Sequence, residues 1–243
     1  DRMDFNPKQF ANIDLFLTWD WVTVSVGKGD YRDAFKRILQ TRRKGKDLLR
    51  PINRVRLQWL IALIALGCAE QDPAPRHTFK TEQNPAARYT YDRLLVVAEK
   101  AIDDAYSALK ECKDERGRAL TLLAEAKLLG MLGIKEGRLD KINDAEAIAI
   151  ALDDPILHGY VDIARGDESV FQRKRGEAKV FYRKVEREMT QRGYLDLANM
   201  ARQRIVRLNA PTRRKSPQKH SGSSGSPPNA PNEPPPDDKL PLN

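Results

Sequence analysis

The chain has 243 residues, 40% hydrophobic and 32% charged, enough apolar material for one sizeable core or one continuous stack of helices. Its formal charge of +9 and pI near 9.5 favour acidic partners such as nucleic acid, an anionic membrane surface or an acidic protein. The longest apolar run, Leu57 to Cys68, spans about a dozen residues where a bilayer needs roughly twenty, and no leader pattern opens the sequence at Asp1, so a soluble cytoplasmic protein without membrane insertion is expected.

In chain order, Asn6-Pro7 places a capping side chain before a proline suited to the first helical position, and a helix is expected over 8–26. Gly27-Lys28-Gly29 breaks it, and further helices are expected over 30–44 and 51–69. Trp19, Trp21 and Trp59 fall in these apolar helices, where core packing is the first reading and a partner-groove hot spot the second. The stretch Glu70 to Gln83 holds Pro73 and Pro75 without periodicity and reads as a long loop. Asn84-Pro85 then starts a helix over 85–112, whose Leu94, Ala98, Ala101, Ala105, Leu109 and Cys112 share one face. Helices over 117–132 and 138–152 flank a break at Gly133 to Gly137. Asp154-Pro155 opens a helix over 155–165, Gly166-Asp167 is read as a break, and helices over 169–191 and 194–208 flank Gly193. No sustained apolar/polar alternation appears, so an all-α fold of antiparallel hairpins is expected. From Ala210 the composition turns to Pro, Ser, Gly and charge, which cannot bury enough apolar surface to order itself; residues 1–209 read as the helical domain and 210–243 as a disordered tail.

Internal repetition points to architecture. Gly29, Tyr31 and Ala34 mark one turn and helix start. Leu129-Gly130, followed by Gly137, Leu139, Ala149 and Asp154-Pro155, marks a fuller copy, and weaker echoes occur at Asp104-Ala105-Tyr106 and at Gly166 with Ala178 and Phe181. This pattern resembles the tetratricopeptide repeat, with departures at Glu146, where the family has an apolar residue, and in the length of the helix expected after Asn84. The resemblance implies an α-solenoid whose hairpins stack into a curved rod, with a protein or peptide held in its groove.

Arg175, Lys179, Arg183 and Arg187, spaced by four, form a basic stripe on one helix, thickened by Arg173, Lys174 and Lys184 and partly neutralised by Glu177, Glu186 and Glu188. It is either a track for phosphates or an acidic peptide, or a solvated face. A second basic run, Arg42-Arg43-Lys44 with Lys46, Arg50, Arg54 and Arg56, joins it only if the solenoid curves suitably. His77, His158 and His220 are scattered, Cys68 and Cys112 read as reduced core residues, and Gly27-Lys28-Gly29 lacks the strand and Ser/Thr of a phosphate loop. No catalytic residue, metal site or cofactor is therefore expected. The expected function is a scaffold or regulatory adaptor for a protein or peptide; the alternatives are a basic helical protein binding RNA or DNA, and a sensor part of a larger signalling or defence assembly.

Overall fold

The computed structural model describes residues 22, 24–45, 49–71 and 91–210, and the described residues are all-helical, with no strand among them. A helical turn ends at Lys28 and is followed by α1 (Tyr31–Gly45), α2 (Pro51–Gln71), α3 (Tyr91–Leu109), α4 (Glu115–Leu132), α5 (Arg138–Leu152), α6 (Pro155–Phe171), α7 (Arg175–Gln191) and α8 (Leu195–Asn209). Asn6-Pro7, Asn84-Pro85, Trp19, Trp21, most of the expected long loop and the tail beyond Ala210 lie outside the described residues.

Local chemistry sets most of the ends. Asp154 accepts hydrogen bonds from the Ile156 and Leu157 amides at 2.9 and 3.1 Å, and Pro155 supplies a first residue that needs no partner for its nitrogen. Asp114 caps α4 the same way, accepting from the Gly117 amide at 3.0 Å. Gly133 ends α4 with φ +78°, a left-handed conformation that costs glycine nothing. The turns after α5 and α6 use no glycine: Asp153 (φ 48°) and Arg173 (φ 64°) take the left-handed position themselves.

Three expectations fail here. Gly166-Asp167 is not a break, because α6 runs through it to Phe171 and the next helix begins at Arg175. Gly166 is needed for close approach: the Tyr182 ring of α7 lies against it, and a methyl group there would overlap that ring. Leu139, expected to pack, is 48% exposed, while Ile142, Ala145 and Ala149 form the buried face of α5. The helix expected over 85–112 ends at Leu109, which leaves Cys112 half-buried in the following turn and Cys68 buried in α2. Glu146 is accommodated by an ion pair with Arg165.

Packing follows a simple scheme. Sequence neighbours pair as α1 with α2, α2 with α3, α4 with α5, α6 with α7, and α7 with α8; in addition α2 packs on α4, α4 on α6, and α6 on α8. The even-numbered helices thus form one layer, and α3, α5 and α7 each pack against two of them on the other side. In α2 every face is covered: all its residues from Leu57 to Ala69 except Leu63 are buried, the pattern of a helix without a solvent side. By length and composition α2 could cross a bilayer, and 78% of that stretch is buried within the protein.

The layer has a fixed register. Helices α4, α6 and α8 begin at residues 115, 155 and 195, forty residues apart. The same interval relates Leu120, Tyr160 and Met200, all directed into the space enclosed by the even-numbered helices.

Candidate functional site

Two cavities occupy that space, with Trp59, Leu120 and Tyr160 in the lining of both. The outer one, about 570 Å³ and open to solvent, lies where the first turns of α2, α4, α6 and α8 converge. Its floor is apolar, with Trp59, Leu120, Tyr160 and Leu197, and its walls carry Asn53, Arg56, Asp114, Arg116 and Asp196. Arg116 is engaged by Asp154 at 3.0 Å, and Asp114 caps α4 through Oδ1 while its buried Oδ2 has no hydrogen-bond partner; Asp114, Arg56 and Asp196 form no ion pair among the described residues. The inner cavity, about 50 Å³, is walled by Leu63, Leu66, Leu123, Ile163, Phe171 and Met200. Trp59, Leu120 and Tyr160 lie between the two. The Trp59 and Tyr160 rings meet edge-on there, 5.6 Å apart at 85°. Burial pushes the Tyr160 hydroxyl up to about 12, and it makes no hydrogen bond among the described residues.

The far end of the inner cavity is a charged cluster built from four helices. Glu70 at the end of α2 lies 3.0 Å from Lys127 (α4), 2.7 Å from Arg204 and 3.1 Å from Arg207 (α8). Arg204 also reaches Asp167 (α6) at 3.1 Å, and the Tyr182 hydroxyl donates to Asp167 at 2.6 Å. Burial alone would raise Glu70; Arg204 and Lys127 reverse this and hold its carboxyl at about 2. Burial lowers Lys127, with Arg204 acting in the same direction and Glu70 against it. Burial and the Asp167 carboxylate drive the Tyr182 hydroxyl far above its ordinary value. Neither the Lys127 amine nor Arg204 Nε, although close to its carboxylate, is aligned for a hydrogen bond, so the contribution there is coulombic. A second buried pair adjoins: Arg138 meets Glu168 at 3.0 Å and lies 5.0 Å above the Phe171 ring.

The basic stripe lies elsewhere. Arg175, Arg183 and Arg187 are exposed on α7, Lys179 is half-buried with its amine 3.2 Å from Asn209, and none of the four borders either cavity. Lys184 pairs with Asp162 at 2.8 Å, and Arg187 is 3.7 Å from Glu188. The second basic run does not join the stripe: Arg54 pairs with Glu111 and Arg56 faces the outer cavity, while the side chains of Arg42 to Lys46 lie outside the described residues. The repeat-signature residues hold structural places, with Tyr31 and Ala34 buried, Gly130 beneath the Phe171 ring, Leu129 half-buried, Gly29 and Gly137 in left-handed turns, and Pro155 opening α6.

Inspection of the sequence by residue type placed Arg56 in a basic run and missed Tyr160, Asp196 and the cluster around Glu70. The available signal was the forty-residue interval, which places Leu120, Tyr160 and Met200 on one rung and Lys127, Asp167 and Arg207 on another. No protein-family model, curated protein or solved structure matches the chain.

Proposed function

We propose that the chain is a tetratricopeptide-like α-solenoid that works as a binding module, holding a protein or peptide in the outer cavity. The observation that carries this reading is the cavity itself: about 570 Å³, within the range of ligand sites, with an apolar floor and with Arg56, Asp114 and Asp196 in its wall, none in an ion pair among the described residues. The contacts of α2 with α4, α4 with α6 and α6 with α8 support a solenoid, since stacked hairpins bring alternate helices together. Gly166 and Ala178 agree with the family's small-residue positions, and Tyr182, in place of the Phe181 expected from the sequence, is the aromatic packed against Gly166, four residues after the alanine. The forty-residue interval is longer than the 34 of that family, and the extra length falls in longer helices and turns.

The test is affinity capture by the full chain with and without nuclease, followed by the Leu195→Arg variant, which alters a 59% exposed residue at the cavity mouth. The expected result is a nuclease-resistant partner lost in the variant. A second reading, binding of RNA or DNA, is favoured by Arg175 and Arg183, exposed and without an ion pair among the described residues. On that reading the captured material is nuclease-sensitive, and replacing Arg175, Lys179, Arg183 and Arg187 with Glu abolishes it.

A further inference from the structure

Resting on the groove reading, we propose that the outer cavity is a site for a cationic side chain of a peptide, above all arginine, received by the Asp114 and Asp196 carboxylates and the aromatic residues Trp59, Tyr160 and Tyr194. The guanidinium supplies the positive charge that the wall lacks, and the peptide backbone lies at the mouth beside Leu195.

The charges in the wall set the sign of the occupant. Arg116 is neutralised by Asp154, 3.0 Å away. Asp114 is only 8% exposed, and of its two oxygens Oδ1 accepts from the Gly117 amide while Oδ2 has no hydrogen-bond partner. Asp196 and Arg56 form no ion pair among the described residues. Two carboxylates therefore face one unpaired guanidinium, and the wall keeps a negative charge in excess. A carboxylate taken out of water without a counter-charge is costly, and a bound cation offsets that cost.

The rest of the wall sets the kind of cation. No three side chains of metal-ligating type come together among the described residues, so a divalent ion would find too few oxygens here. Aromatic side chains line the same space, and a guanidinium, planar and weakly hydrated, settles against such rings better than an ammonium does. Burial raises the Tyr160 hydroxyl, Arg116 opposes this and Asp196 adds to it, which sets the Asp196 carboxylate within electrostatic reach of the ring. The Tyr160 oxygen, without a hydrogen bond among the described residues, can accept from one of the guanidinium N–H groups. A phosphate or carboxylate ligand would meet both acids with only Arg56 to receive it. A neutral apolar ligand would fill the floor and leave the excess charge uncompensated.

The test uses the full chain and capped, fluorescently labelled glycine pentapeptides with arginine, lysine, citrulline or glutamate at the centre; citrulline has the shape of arginine without its charge. Anisotropy should rank arginine first, with citrulline and glutamate weaker by on the order of tenfold or more, the worth of hydrogen bonds to a charged group. Asp114→Asn keeps an oxygen for the cap and removes the charge, so it should weaken arginine binding on the order of tenfold while circular dichroism and the thermal midpoint stay near the parent's. Asp196→Asn should act the same way. Arg56→Gln should act in the opposite direction and tighten arginine binding, a gain that a misfolded variant cannot produce. Lysine equal to arginine, with both above citrulline, supports the cation site and overturns the preference for a guanidinium. Equal affinity for arginine and citrulline, no binding of the arginine peptide up to millimolar concentration, or an arginine affinity indifferent to all three substitutions overturns the cation site. If a captured partner is still lost in Leu195→Arg under those outcomes, the groove reading survives; if capture is also unaffected by Leu195→Arg, both fall.

Discussion

Glu70 shows how one side chain converts charge into stability. Its carboxyl is held at about 2 against an ordinary 4.5, so the folded state favours the ionised form. A depressed acid contributes its full stabilisation above about 4.5 and loses it as pH falls through about 2; the shift corresponds to at most about 3 kcal/mol. Glu70→Gln should therefore lower the urea midpoint at pH 7, and its stability should be flatter than the parent's between pH 4.5 and 2.5. Parallel curves for the two proteins would show that Glu70 is not the group that titrates. Such a role was not legible from residue type, because Glu70 stands at the edge of a proline-containing stretch that reads as loop, and its partners are 57, 134 and 137 residues away. By contrast Asp154-Pro155 was legible, since a cap acts on amides two and three residues on and needs no tertiary knowledge.

At the scale of elements, glycine has two uses that sequence alone does not separate. It can end a helix by turning left-handed, as Gly133 does, or let another helix come close, as Gly166 does under Tyr182. Reading Gly166 as the first kind split α6 in two, while the actual turn is made by Arg173, a residue type with no turn signature. The distinction predicts opposite results from the same chemical change. Gly166→Ala should destabilise by about 1–3 kcal/mol through overpacking against the ring. Gly176→Ala, where an added methyl meets nothing within 4 Å, should be neutral or slightly stabilising because alanine is the better helix former. Thermal unfolding of the two variants checks both. The helical periods themselves were readable throughout α3, α7 and α8, because one-sided burial leaves apolar residues at three- and four-residue steps; α2 and α4, covered on several sides, carry no such stripe, although their apolar runs still mark them as helices.

At the scale of the whole set of described helices, contacts join distant parts of the chain. Gln203 on α8 donates to the Gly27 carbonyl, 176 residues earlier, and Arg204 and Arg207 reach Glu70. An array in which each repeat touches only its neighbours loses its end units first and independently. Here the departure of α8 would strip Glu70 of two partners and Asp167 of one, in the middle of the stack. Hydrogen exchange should therefore find the buried amides of α8 opening with those of α2, at one free energy; early exchange confined to α8 would contradict this. The candidate site shares this origin, since its walls come from four helices whose starts span residues 51 to 195 and no single hairpin contains it.

The tie between Glu70 and α8 also bears on modularity. Repeat proteins commonly lengthen or shorten by whole units, because a new end unit needs only a compatible neighbour. In this chain α8 carries counter-charges of α2, so on the solenoid reading removing or inserting a forty-residue unit would displace Arg204 and Arg207 from Glu70 and leave it Lys127 among the described cations. On the solenoid reading proposed above, a change in the number of units would therefore be felt at a carboxylate far from the end where units would be added.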